Sequence, residues 1–424
     1  MRILVFATLL FIVASTTIAQ KLQVKDLTVE YQDNPIGVDV RVPHFSWKLV
    51  TSQRAIKQKS YEIRVGSDLK TLLKGQNVIW QSGVVASEQS VLVPYAGPEV
   101  KSRERYYWQV RITDSNSSVS SWSEIKYWEM GLLKPEDWTA SWIEPEIPGD
   151  SVGRPSPMLR TNFDLGKAVK QARLYITAHG LYEAHLNGKR VGDQYLTPGW
   201  TSYNKRLQYQ TYDVTTLLKQ GGNAAGVLLG DGWYRGNLAW EDNKNIYGKN
   251  LGVLFQLEIT YADGTKETIN SNENWKCSTG PIVKSGIYYG EAYDARLELP
   301  DWAHAGFHNA NWKPVRILNE SKGNLVASYG PPVRKQETFK PVSITKNSQG
   351  EWIVDFGQNL VGWIKLTATG TAGHKVIIHH AEVLDKNGNF YTDNLRSASQ
   401  EIQYTLKGSG QEVYEPRFSF FGFR

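Results

Sequence analysis

The sequence predicts an all-β protein made of tandem β-sandwiches, and three observations carry this prediction. Apolar and polar residues alternate with a period of two in many short segments, as in RYYWQVRITD at 105–114. Turn-forming residues separate these segments, and the chain contains 37 glycines and 17 prolines. No long segment shows the 3.6-residue apolar period that an amphipathic helix requires.

Composition limits the function classes. The 424 residues suit about two to four domains of ordinary size, and a hydrophobic content of 41% against 21% charged residues favours packed cores over disorder. A net charge of +6 is small for this length and no basic block occurs, so nucleic acid is not expected as a partner. The only cysteine, Cys277, excludes an internal disulfide and a cysteine-rich metal site.

Residues 1–19 have the pattern of a secretory signal peptide. Arg2 precedes an apolar run from Ile3 to Ala14, and Thr17-Ile18-Ala19 resembles a small-residue cleavage site. The run is shorter than the roughly 20 residues that a membrane-spanning helix needs. We therefore expect cleavage after Ala19, no membrane span afterwards, and a secreted protein. The lack of disulfides favours a bacterial periplasm.

The remaining chain divides into three predicted β domains. Residues 20–133 carry regularly spaced strand patterns typical of a fibronectin type III or immunoglobulin-like sandwich. Residues 134–330 predict a second sandwich of jelly-roll type, in which Asn187-Gly188 marks a tight hairpin. Residues 331–424 predict a third β-sandwich. Because its last segment reads as a strand that has only begun, we expect this domain to be truncated.

Six strings carry a resemblance to one protein family: YEAHLNGKRVGDQYLTPGWTSYNKRLQYQTYDVT, LLGDGWYRG, YYGEAYDARLE, VDFGQNLVGWIKL, HHAEVL and YEPRFSFFGFR. In this order and spacing they resemble the N-terminal half of bacterial α-L-rhamnosidases. The resemblance implies several β domains followed by a large α/α-toroid catalytic domain. It also implies hydrolysis of terminal α-L-rhamnosides by inversion, which needs one carboxylic acid and one carboxylate. In this family both lie in the helical domain, beyond the position where this chain ends.

The resemblance therefore predicts no catalytic residue in this chain and an inactive β portion when the chain is alone. Its role is then scaffold, docking surface for a downstream α/α domain, or sugar binding, and its partners are rhamnose-containing glycans or glycosides. Two alternatives remain open: a stand-alone periplasmic carbohydrate-binding protein, and a purely structural array of β domains.

The first candidate site is the loop PGWTSYNKR at 198–206. An indole or phenol ring can pack on the C–H face of a sugar, while an amide bonds the hydroxyl rim. Trp200, Tyr203 and Asn204 are the candidates for substrate binding. The alternative is that the two aromatic residues only pack two sheets together. Some members of the family have a sugar-binding module here that holds rhamnose partly through calcium, so calcium is the one cofactor that the resemblance allows.

The second candidate site is the segment GDGWYRG at 230–236. It offers Asp231, Trp233, Tyr234 and Arg235 as substrate-binding residues. In an extended segment, Trp233 and Tyr234 would point to opposite sides. No Gly-Lys-Ser/Thr follows, so a phosphate loop is not indicated. The segment is either a ligand or domain-contact loop or a structural bulge.

The third candidate site contains Glu291 and Asp294, close to Arg296. A carboxylate beside arginine has a lowered pKa and is a poor acid near neutral pH, so sugar contact, docking or an ion-paired strut are the alternatives to catalysis. No metal site is predicted. His379 and His380 are adjacent and point to opposite faces of a strand, and the loop that begins at Asp385 has no glutamate at its twelfth position.

Overall fold

The computed structural model describes residues 22–147, 154–238 and 243–424. The predicted signal peptide lies outside these ranges. Strands contain 44% of the residues and helices 5%, which confirms the all-β prediction. The structure forms two compact units, one ending at Met130 and one running from Gly131 to Arg424. Among the described residues, no helix combines the length and apolar character needed to cross a membrane.

The first unit is a sandwich of two sheets, with sheet orders β1-β3-β7 and β2-β9-β8-β4-β5, to which β6 adds by pairing with β4. One short helix, α1 (Leu69–Leu73), follows β4. The strands are β1 (Gln23–Val29), β2 (Ile36–Val38), β3 (His44–Val50), β4 (Gln58–Gly66), β5 (Val78–Gln81), β6 (Val85–Ala86), β7 (Val93–Pro94), β8 (Arg105–Asp114) and β9 (Lys126–Met130).

Aromatic rings fill the core between these two sheets. Phe45 on β3 packs against Trp108 on β8, with ring centroids 4.4 Å apart, and against Trp128 on β9 at 5.4 Å. All three side chains are fully buried. Because alternate residues of each strand face the same side, the period-two pattern places these rings in one layer. Trp47 and Trp108 are buried, as expected for core residues.

The second unit begins with a sandwich formed by one continuous sheet of twelve strands. The sheet order is β14-β13-β16-β11-β19-β22-β10-β17-β12-β15-β23, with β18 added to β17. A four-residue helix, α2 (Gly232–Arg235), follows β16. The strands are β10 (Trp142–Pro145), β11 (Pro157–Leu165), β12 (Val169–His179), β13 (Leu181–Leu186), β14 (Lys189–Arg190), β15 (Leu207–Asp213), β16 (Gly221–Gly230), β17 (Gly252–Tyr261), β18 (Lys266–Asn270), β19 (Lys276–Thr279), β22 (Lys313–Leu318) and β23 (Leu325–Ala327).

The two halves of this sheet share a single apolar core. Leu159 on β11 and Val227 on β16 come from one half, and Ile176 on β12 and Phe255 on β17 come from the other. All are fully buried, so the halves pack face to face as the two layers of a sandwich. The hairpin between β13 and β14 turns at Asn187-Gly188, both with positive φ (50° and 78°), as the sequence predicted.

The last part of the chain adds four small sheets. Their orders are β20-β21-β29-β28, β24-β25, β26-β31 and β27-β30. In the second unit as a whole, three-residue 3-10 helices occur at Pro135–Asp137, Thr215–Leu217, Ala295–Leu297 and Asp393–Leu395. The strands are β20 (Ile282–Lys284), β21 (Gly290–Asp294), β24 (Ser343–Lys346), β25 (Trp352–Asp355), β26 (Leu360–Gly362), β27 (Leu366–Thr369), β28 (Lys375–His379), β29 (Glu401–Thr405), β30 (Gln411–Tyr414) and β31 (Phe421–Phe423).

One strand connects the sequence regions on either side of residue 330. β21 pairs in parallel with β29, from Gly290 opposite Glu401 to Asp294 opposite Thr405. Tyr404 on β29 is buried in the apolar core of the last region. The second and third predicted domains therefore share a sheet, and this continuity explains why both fall in one compact unit.

Candidate functional site

The loop between β14 and β15 presents one aromatic ring to solvent and buries another. Trp200 is 52% exposed, whereas Tyr203 is 5% exposed. The hydroxyl of Tyr203 donates to the carbonyl of Gly199 at 2.8 Å, and its ring packs on Tyr247 at 4.8 Å. Tyr203 therefore has the packing role that the sequence left as an alternative. Asn204 is exposed on the same loop.

The segment after β16 is helical rather than extended. Residues Gly232–Arg235 form α2, so the expectation that Trp233 and Tyr234 lie on an extended segment was wrong. Gly232 has φ +52°, and a Cβ at this position would lie 2.5 Å from Leu181, which explains the glycine there. The helix turns the indole of Trp233 parallel to that of Trp200, with a centroid distance of 6.0 Å and an interplanar angle of 6°.

The ring of Tyr234 belongs to a stack that leads into the sandwich. Its ring centroid lies 4.8 Å from that of His179, and the centroid of His179 lies 4.2 Å from that of Trp142. In each of these two contacts the rings are nearly parallel. Burial lowers the pKa of His179 to about 4, so this imidazole is neutral at pH 7. Burial, together with the nearby charges of Glu320 and Glu144, raises the pKa of Tyr234 to about 12.

Two acidic residues beside this stack were missed by the sequence analysis. Oε2 of Glu320 lies 3.4 Å from Nε2 of His179. Burial raises the pKa of Glu320, and the charge of Glu144 raises it further. Glu144 itself is buried and accepts a hydrogen bond from Arg316 at 2.7 Å. The two glutamates come from β10 and from the connection after β22, so no local motif indicates that they are neighbours.

Asp231 and Arg235, two of the predicted binding residues, are buried against each other. Arg235 Nε donates to Oδ1 of Asp231 at 2.7 Å, and both residues are 5% exposed. Burial raises the pKa of Asp231, while the charge of Arg235 opposes this shift. The backbone N–H of Asp231 donates to Ser285 at 3.1 Å. This geometry favours the structural interpretation, because neither side chain is open to a ligand.

Glu291 and Asp294 both lie on β21, but their side chains have different environments. Glu291 is 1% exposed and accepts hydrogen bonds from the hydroxyl of Tyr414 (2.8 Å) and the backbone N–H groups of Arg417 and Phe418 (3.0 Å each). Burial raises its pKa, against the lowering effect of these hydrogen bonds. Asp294 pairs with Arg296 at 2.7 Å, which lowers the pKa of Asp294, as expected for an ion-paired strut. Glu291 and Asp294 therefore do not form an acid–base couple.

The histidine motif and the Asp385 loop behave as the sequence predicted. His379 is exposed and His380 is buried, with Nδ1 of His380 2.8 Å from the carbonyl of Gln400. Oδ1 of Asp385 accepts the N–H groups of Asn387 and Asn389 and closes a plain turn. In the described ranges, no three or more His, Cys, Asp or Glu side chains are grouped to hold a metal.

Two of the strings that carry the resemblance, the one with Glu183 and the one with Arg417, meet where the sandwich joins the last β region. Arg417 forms an ion pair with Glu183, and Glu183 also accepts from Arg190 at 3.0 Å and contacts His185 at 2.8 Å. Burial raises the pKa of Glu183, but the charges of Arg417 and Arg190 and the hydrogen bond with His185 bring it below its ordinary value. Phe418 inserts into an apolar cluster of the sandwich. These motifs thus join the two regions.

The described residues form successive β-sandwiches, which makes the chain a multidomain β protein. Three domain models from one family match the chain. They are the Rha78A-like N-terminal immunoglobulin domain at residues 24–134, the α-L-rhamnosidase N-terminal domain at 167–337, and the bacterial α-L-rhamnosidase concanavalin-like domain at 345–424. The chain belongs to the bacterial α-L-rhamnosidase family.

Curated relatives agree with this assignment. An α-L-rhamnosidase of Streptomyces avermitilis is 32% identical, with the alignment covering 95% of this chain and 55% of the relative. One from Formosa agariphila is 36% identical over 93% of this chain and 44% of its own length. One from Alteromonas sp. is 37% identical over 92% of this chain and 43% of its own length. The chain thus spans about half the length of these relatives.

Solved structures agree with the family assignment. The structure of the Streptomyces avermitilis α-L-rhamnosidase complexed with L-rhamnose superposes with a TM-score of 0.89 at 32% identity, covering 95% of this chain and 55% of that one. The structure of the Aspergillus terreus α-L-rhamnosidase gives a TM-score of 0.89 at 38% identity, covering 95% of this chain and 46% of that one. The β domains therefore have the same fold and order as in these proteins.

Proposed function

We propose that this chain is the β-domain scaffold of an α-L-rhamnosidase and provides the docking surface for an α/α catalytic domain. The observation that carries the proposal is the order of the three matched domains along the chain. The whole enzyme hydrolyses terminal α-L-rhamnosides of glycans or glycosides with inversion. Its acid and base belong to the α/α domain, separated by about 6.5–9.5 Å so that a water molecule fits between them.

The environments of the buried carboxylates support a scaffold role. Glu183, Asp231 and Glu291 are each occupied by internal ion pairs or hydrogen bonds that join strands or regions. A general acid has to give its proton to a substrate oxygen within hydrogen-bond reach. Buried groups that already bond to the protein hold the fold instead. Glu320, which is partly exposed, is the carboxylate to examine if the chain alone shows activity.

The test is an assay of the purified chain with an aryl α-L-rhamnoside. We expect no release of the aryl group above the blank, because the proposal places the acid and the base in the α/α domain. Turnover that stays with the protein through repeated purification and is lost in Glu320→Gln would contradict the proposal. Reading the gene past codon 424 tests the same point: the proposal expects long amphipathic helices there, and a reading frame without them contradicts it.

We also propose that the protein is secreted to a bacterial periplasm by the signal peptide at residues 1–19. The basic residue, apolar run and small-residue site of the N-terminus support this proposal. The measurement is the N-terminal sequence of protein recovered from a periplasmic extract. It is expected to begin at Gln20, and an intact N-terminus in the cytoplasmic fraction alone would contradict secretion.

A further inference from the structure

The sequence contains two Asn-Gly pairs, and they have different surroundings in the structure. Asn187-Gly188 forms the turn between β13 and β14, and Asn387-Gly388 lies in the loop between β28 and β29. In an Asn-Gly pair the backbone nitrogen of the second residue can reach the asparagine side chain, because glycine has no Cβ to obstruct the approach. Whether the pair reacts in a folded protein depends on how easily its turn opens.

At the hairpin turn, both reacting groups are held by distant parts of the chain. The side-chain amide of Asn187 donates to Oδ1 of Asn223 at 2.7 Å, and its oxygen accepts the backbone N–H of Ala224 at 3.0 Å. The backbone N–H of Gly188 donates to the carbonyl of Ala303 at 3.0 Å. Freeing the Asn187 side chain therefore requires a local opening of the second sandwich.

The loop at residues 385–389 is held mainly by bonds within its own turn. Asn387 is exposed, and its side chain has no hydrogen-bond partner among the described residues. The N–H of Gly388 donates to the carbonyl of Asp385 at 3.0 Å, and Oδ1 of Asp385 accepts the N–H of Asn387 at 2.8 Å. A Cβ at Gly388 would meet no atom within 4 Å. Opening this exposed turn breaks local bonds and disturbs no packed core.

We propose that Asn387 is a site of spontaneous deamidation in the folded protein, whereas Asn187 is protected. The backbone nitrogen of Gly388 gives up its proton and attacks Cγ of Asn387. A bond forms between this nitrogen and Cγ, the Cγ–Nδ2 bond breaks, and Nδ2 leaves as ammonia with one proton in place of the one released. Water then adds to either carbonyl of the resulting succinimide ring and opens it to aspartate or isoaspartate. Each event adds a negative charge to the loop.

The test is to age the purified full chain in mildly alkaline buffer and to follow both asparagines by peptide mass spectrometry. Digestion in acid prevents ring formation during the digest. In the folded protein we expect Asn387 to deamidate at least about tenfold faster than Asn187, because only its turn opens readily. In denaturant, where neither turn persists, we expect the two rates to agree within about threefold.

Asn387→Gln is the matched control. Glutamine keeps an amide at this exposed position, but its longer side chain has to close a larger ring, which forms much more slowly. The aged parent protein should develop an additional acidic species in ion-exchange chromatography, and the aged variant should lack it.

Three results would overturn the proposal. They are equal rates at the two asparagines in the folded protein, an intact Asn387 in the folded protein under conditions in which both asparagines react in denaturant, and the same acidic species in the aged variant. None of these measurements depends on whether the chain binds or hydrolyses rhamnosides.

Discussion

Glu183 and Arg417 form an ion pair that joins the second sandwich to the last β region. Glu183 is 6% exposed on β13, while the Arg417 side chain keeps 37% of its surface in solvent. The backbone N–H of Arg417 simultaneously donates to the buried carboxylate of Glu291. One residue near the C-terminus therefore satisfies carboxylates from two different strands.

Removing the cation of this pair should destabilise the second unit. In Arg417→Met, Glu183 stays buried with only His185 and Arg190 as partners, and we expect a loss of about 1–3 kcal/mol. This expected loss of stability is smaller than for a fully buried ion pair because Arg417 is partly solvated. Chemical denaturation followed by tryptophan fluorescence measures the change. Arg334→Met, which breaks the exposed pair with Asp193, is the control and should cost less than about 1 kcal/mol.

The pairing of β21 with β29 depends on a glycine. Gly290 has φ +84°, and a Cβ there would lie 1.8 Å from the carbonyl oxygen of Glu401. Gly264 has the same φ but nothing within 4 Å of a Cβ, so it is the control for the backbone conformation. Gly264→Ala should cost about 1–2 kcal/mol from the backbone conformation alone. Gly290→Ala should cost at least about 2 kcal/mol more, or prevent folding of the second unit. Equal costs at both positions would contradict the close approach.

Buried histidine makes the second unit sensitive to acid. Burial lowers the pKa of His380 to about 4 from an ordinary 6.5. Between these values the unfolded state binds more protons than the folded state, so stability falls as the pH drops through this window. His380→Phe should reduce the slope of the free energy of unfolding against pH. The largest reduction, for one proton, is about 1.4 kcal/mol per pH unit. Denaturation midpoints from pH 8 to pH 4 check this.

The difference in the free energy of unfolding between His380→Phe and the parent protein at pH 8 is the internal control. There the imidazole is neutral, so the difference measures only packing against Phe421 and Phe423 and the loss of the bond to Gln400. His179, which has a similarly low pKa, continues to contribute an acid slope in the variant. An unchanged slope in His380→Phe would show that the buried imidazole does not titrate as proposed.

A single amide should stabilise the core of the first unit. Gln58 is 5% exposed, accepts from the indole of Trp47 at 2.9 Å and donates to the carbonyls of Ser87 and Gln89. Gln58→Ala removes the partner of the buried indole N–H of Trp47 and of two partly buried hydrogen bonds, to the carbonyls of Ser87 and Gln89, and we expect a loss of about 1–3 kcal/mol. The exposed Gln53→Ala is the control, with an expected change below about 0.5 kcal/mol. An equal loss of stability in both variants would mean that the change to alanine itself, and not the loss of hydrogen bonds, destabilises the protein.

Local patterns predicted much of the fold because they act over a few residues. The alternation in β8 predicted a half-buried strand, and Asn187-Gly188 predicted the hairpin, since few other residues adopt two consecutive positive φ angles. The segment at 230–236 was misjudged as extended. A helix of four residues is too short to show a 3.6-residue period, so no pattern distinguished it.

The candidate site was predicted only in part. The structure stacks Trp200 on Trp233, two of the predicted residues, but the sequence could not tell that Tyr203 and the Asp231–Arg235 pair are buried. Glu320 and Glu144 escaped notice because they lie far apart in the chain and carry no local signature. Their proximity depends on which strands become neighbours.

The sequence by itself determined the all-β architecture, the hairpin turns and the family, since each depends on residue types at short spacings. Only the tertiary structure decided that β21 joins β29, that Phe418 fills a cluster in the preceding sandwich, and that Trp200 faces water while Tyr203 does not. Alternation specifies two faces of a strand but not the partner that covers either face. That choice is made when distant segments exclude water together, and it is a property of the packed chain.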